Sequence, residues 1–77
     1  MIKIYIDFNA RETAASEYIC IPVFEHNNTL LKLTEVREGA EVIGFDDELE
    51  FIGQFYHGGD YGFGIRFGKP NEKWKKP

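Results

Sequence analysis

Glu38–Phe67, EGAEVIGFDDELEFIGQFYHGGDYGFGIRF, constrains this chain more than any other stretch. It reads as three β-strands joined by two tight turns. Val42, Ile43 and Phe45 form an apolar run of strong β-formers, and Gly39 just ahead supplies freedom for a bend into it. Asp46-Asp47-Glu48 then breaks the run with carboxylates that can bond their own backbone. From Leu49 the pattern alternates: Leu49, Phe51, Gly53 and Phe55 take one face, and Glu48, Glu50, Ile52, Gln54 and Tyr56 the other. His57-Gly58-Gly59-Asp60 is the second turn, where two glycines permit the positive φ a hairpin needs. The third strand, Tyr61–Phe67, sets Tyr61, Phe63, Ile65 and Phe67 against Gly62, Gly64 and Arg66. An antiparallel meander is the expectation.

Two further strands precede it. Ile2, Ile4, Ile6 and Phe8 alternate with Lys3, Tyr5 and Asp7, the mark of a half-buried strand. After a polar loop at Asn9–Ser16, with room for one helical turn, Glu17–Glu25 places Ile19, Ile21 and Val23 opposite Tyr18, Cys20, Pro22 and Phe24. Pro22 cannot donate to a ladder, so this strand belongs at an edge or carries a bulge. His26–Thr29 is a turn, and Leu30–Arg37 reads as a short helix capped by Thr29 or as irregular chain, with a strand through Leu31 and Leu33 equally open. Five short strands in 77 residues predict a β-dominated domain: a bent five-stranded antiparallel sheet, or an SH3-like or OB-like barrel, with at most one short helix. Its expected core contains Ile4, Ile6, Ile21, Val42, Phe51, Phe63 and Ile65. Residues 1–70 form the one domain, and 71–77 a flexible C-terminal tail.

The net charge of −4 hides an asymmetry. Residues 35–50 hold seven acids against Arg37 alone, whereas residues 66–76 hold five bases against Glu72 alone. A uniformly basic face for duplex nucleic acid is absent. No apolar run approaches the roughly 20 residues needed to cross a bilayer. Met1–Phe8 alternates and carries Asp7, so it does not read as a secretory signal. The lone Cys20 rules out an internal disulfide and fits a reducing compartment, so a soluble cytoplasmic protein is expected.

Catalytic chemistry finds little to stand on. His57 and Asp60 flank one turn and Glu25-His26 lies in another, but at no metal-binding spacing, so neither a metal nor any other cofactor is expected. Cys20 has no base beside it in the sequence, and the carboxylates of residues 46–48 sit on a turn without an evident pocket. The glycines precede a strand, not a helix N-terminus, so no phosphate loop is formed. Tyr61-Gly62-Phe63 begins like the aromatic RNA-binding strand motif, but Ile65 and Phe67 fit only if Gly64 is an insertion. One extra residue turns every later side chain to the opposite face, so the aromatics read more simply as a core-facing row.

The expectation is therefore a non-enzymatic protein-interaction module, an adaptor or inhibitor of the size that phages and other mobile elements encode. Its partner would be a protein with a basic surface, met through Glu38, Glu41, Asp46, Asp47, Glu48 and Glu50. The alternative is a module for single-stranded nucleic acid, of OB or cold-shock kind, stacking bases on Tyr56, Tyr61, Phe63 and Trp74. A homodimer is open to it as well, and a small metal-dependent enzyme ranks last.

Overall fold

Every second residue of Glu41–Phe45 and of Glu50–His57 turns the same way, and that face is the buried one: Val42 and Gly44 from the first, Gly53 and Phe55 from the second. In the computed structural model, which describes residues 1–12 and 17–77, these two segments are β3 and β4. They pair antiparallel, with Val42 opposite Gly53 and Phe45 opposite Glu50. β5, Phe63–Arg66, continues the meander antiparallel to the second half of β4. Gly58, Gly59 and Gly62 all take positive φ in the turn between them, the role expected of the paired glycines.

β1 (Lys3–Tyr5) and β2 (Cys20–Pro22) complete a five-stranded sheet in the order β1-β3-β4-β5-β2, curled into a half-barrel. Pro22 does lie on an edge strand, where its missing N–H costs no ladder bond. The sheet is not antiparallel throughout: β1 runs parallel to β3, with Ile4 opposite Gly44. The chain crosses from one edge to the other between β1 and β2, and that crossing permits a parallel pair.

Ile4, Ile6, Phe8, Ile19, Ile21, Val23, Val42, Phe55, Phe63 and Ile65 form one buried cluster together with Leu33 and Val36. Phe51 is partly buried and packs against this cluster. Glycine at 53 lets the sheet curl tightly, because a Cβ there would sit 2.5 Å from Ile65 Cγ2. Other expectations are trimmed. Ile2, ahead of β1, is exposed, as is Leu49 in the β3–β4 turn. Tyr61 falls in the glycine turn and not in β5. Leu30–Arg37 holds one 3-10 turn, Leu33–Glu35, which suffices to bury Leu33 and Val36 while leaving Leu30 fully exposed. No α-helix occurs among the described residues, and the loop expected at 9–16 lies partly outside them.

Asn28 ties the first edge down. Its Oδ1 accepts the Tyr5 N–H at 2.8 Å, and its Nδ2 donates to the carbonyls of Tyr5 and Phe24, each at 3.0 Å. Residues 71–77, expected as a flexible tail, are in contact with the sheet. Trp74 stacks on Phe67, and the Lys75 carbonyl accepts the Ile52 N–H at 2.8 Å.

Candidate functional site

The six acids expected to share one edge are divided by the register of the β3–β4 hairpin. Glu41 stands opposite Gln54 at one end of β3, and Phe45 opposite Glu50 at the other. At about 3.3 Å per residue these ends lie roughly 13 Å apart. Near the first end, Glu41 pairs with Lys75 at 3.8 Å, and Glu38 Oε1 accepts the His57 N–H at 2.8 Å. At the turn end, Glu50 is matched by Lys3 at 2.9 Å. Asp46 is occupied with the turn itself, where its Oδ1 accepts the N–H groups of Glu48 and Leu49 at 2.8 and 2.7 Å. Asp47 and Glu48 remain exposed and join none of the ion pairs found among the described residues.

The parallel β1–β3 pair adds an acid that the sequence reading left out. The Ile6 N–H bonds the Phe45 carbonyl at 2.9 Å, so the chain leaving β1 arrives beside the turn that follows β3. Asp7 therefore joins Asp46, Asp47 and Glu48 around an open depression of about 490 Å³, completed by Tyr5, Asn9 and Asn27. No lysine or arginine lines it. Only the direction of β1 could have signalled this, and alternation carries no information on strand direction. Gathered carboxylates repel one another, and salt only partly screens the repulsion.

The four aromatics considered for stacking are scattered. Phe63 is buried, packed between Phe55 and His57 at centroid distances of 5.8 and 5.5 Å. Tyr56 donates its hydroxyl to Glu12 Oε2 at 2.9 Å, and burial first, then this bond, pushes its pKa upward. Tyr61 is exposed and meets Phe24 edge-on at 4.9 Å. Trp74 lies at the far end, flat on Phe67 and edge-on to Phe51.

The groups considered for metal or thiol chemistry have separate places. His57 Nε2 bonds the Val36 carbonyl, and Cys20 is a half-buried free thiol in β2. Among the described residues no three His, Cys, Asp or Glu side chains are grouped as a metal ion would require. No helix among them is long and apolar enough to cross a membrane. No family model, no curated protein and no solved structure matches the chain.

Proposed function

We propose that this chain is a non-enzymatic protein-interaction module, an adaptor or inhibitor working in the cytoplasm, which offers its acidic end to a basic surface on another protein. The observation that carries this reading is the convergence of Asp7, Asp46, Asp47 and Glu48 on one depression with no base in its lining. A single-signed patch of this kind accelerates encounter with the opposite sign more than it tightens the final complex. Glu41 and Glu50, each beside a lysine, contribute less field. The single-stranded nucleic-acid reading has weaker support, because Phe63 is turned to the core and the remaining aromatics form no common platform.

Asp47→Asn combined with Glu48→Gln tests the proposal, since neither side chain caps the turn. The variant should melt within a few degrees of wild type. A partner captured from host lysate should associate with it several-fold more slowly at low salt, the gap closing as salt rises. Equal on-rates at both salt concentrations would leave the acidic end with no role beyond solubility.

A further inference from the structure

β4 runs for eight residues, yet β5 pairs only with its second half, Gln54–His57. Alternation turns the Ile52 N–H away from β3 and toward the edge that β5 has left. The Lys75 carbonyl of the C-terminal segment takes that N–H at 2.8 Å. One residue earlier, the Trp74 ring lies on Phe67 with centroids 5.0 Å apart and planes 13° from parallel, and meets Phe51 edge-on at 5.3 Å. Gly68 makes room for it, because a Cβ there would sit 3.1 Å from the indole Cδ1. A groove of about 430 Å³ runs between segment and sheet, floored by Ile52, Gln54, Arg66 and Phe67 and flanked by Glu41. The sheet thus forks, and the chain's own end fills the fork.

We propose that this fork is a docking groove for an extended segment of another protein, an aromatic side chain flanked by lysines or arginines. Residues 69–77 are its intramolecular occupant, which such a segment displaces. The proposal rests on the reading of the protein as a module for basic partners, and gives that partner a second point of contact.

Charge is the first support. Residues 1–68 carry twelve acids against five bases, whereas residues 69–77 carry four lysines against Glu72. A basic segment is therefore what this body attracts, and its own tail is the nearest example. The second support is how lightly that tail is held. Its ion pairs, Lys75–Glu41 at 3.8 Å and Lys69–Glu17 at 3.6 Å, lie between side chains that are about half exposed or more. Such pairs contribute little. The indole N–H reaches only the segment's own Lys69 carbonyl, at a long 3.4 Å. An incoming strand can remake the backbone bond and the ring stack, which is how peptides add to a free sheet edge.

The experiment uses the full chain and a fluorescein-labelled peptide, KPNEKWKKP, copied from residues 69–77. A tethered segment acts at an effective concentration on the order of millimolar, so wild type should bind the peptide poorly. Trp74→Gly should bind it at least about tenfold more tightly, because the competitor is weakened. Adding Gly68→Val to that variant should abolish the gain. Trp74 is the chain's only tryptophan, so an unlabelled peptide with Phe in place of Trp should red-shift wild-type emission as the indole is released. Should Trp74→Gly fail to fold, Lys73→Glu with Lys75→Glu keeps the ring and should still raise peptide binding. Equal binding to wild type and variants, or none up to about 1 mM, would overturn the proposal. Wild-type dimers abolished by Trp74→Gly would assign the groove to a second copy's tail and overturn it too. In either case the salt-dependent effect of the Asp47 and Glu48 variant would stand or fall separately.

Discussion

β1 and β4 each carry backbone that no neighbouring strand pairs, and the chain covers the two in opposite ways. On β1, one side chain takes both the N–H and the carbonyl of Tyr5: Asn28, 8% exposed and the one buried polar residue among those described. On the first half of β4, a backbone carbonyl from the C-terminal segment does the covering, fastened by a half-buried indole. If the amide is removed, the Tyr5 N–H and the carbonyls of Tyr5 and Phe24 lose their partner in a part-buried setting. If the segment is lifted, the uncovered groups meet solvent. One cover belongs to the fold, and the other is exchangeable.

The largest effect should come from Asn28→Leu. Leaving a buried polar group unmet costs about 1–3 kcal/mol, and more than one is stranded here, so a loss of roughly 2–4 kcal/mol is expected. The urea midpoint should fall with its slope unchanged. A loss below about 1 kcal/mol would mean that water reaches this edge and that the two covers are alike. Trp74→Ala should cost less, about 1–2 kcal/mol, for two ring contacts and a partly buried side chain. A loss equal to that of Asn28→Leu would break the comparison from the other side.

The β2 edge sharpens it further. There the Cys20 carbonyl accepts the Glu12 N–H at 2.9 Å, and the Glu12 carboxylate accepts the Tyr56 hydroxyl. Burial and the Glu12 bond raise the Tyr56 pKa above its ordinary value near 10, so the folded state holds a proton that the unfolded chain releases. That contribution is whole below about pH 10 and declines as pH climbs beyond it. Urea midpoints between pH 8 and 11 should fall more steeply for wild type than for Tyr56→Phe, by the smallest margin of the three. Parallel declines would show that Tyr56 takes no part in holding this edge.

The meander was legible because its signals are local: alternation gives the faces, and paired glycines give the turn. Ile4, Ile6, Ile21, Val42, Phe63 and Ile65 all face the core for that reason. What escaped depends on contacts between distant residues. Asn28 reads only as a turn former until Tyr5 is found beside it. Asp7 reads as the polar half of an alternation until β1 is known to run with β3. Trp74 stands among lysines in a segment whose composition reads as unpacked, and its solitary indole was the one hint that the segment has somewhere to go. The acids can be counted from the sequence, but their grouping depends on the hairpin register.

The parallel pair also sets an order in time. Ile4 meets Gly44 forty positions along the chain, whereas β3, β4 and β5 are joined by short turns. Closing a long loop is entropically dearer than closing a short one, so the meander should form first and β1 arrive late. Until Glu41–Phe45 exists as a strand, β1 has no ladder to join. Pulse-labelled amide exchange during refolding should protect the Phe55 N–H, bonded to the Ala40 carbonyl, before the Ile6 N–H, bonded to Phe45. Simultaneous protection would place β1 in the folding nucleus. In that order, the apolar residues of β1 precede the meander along the chain and yet are among the last to leave water.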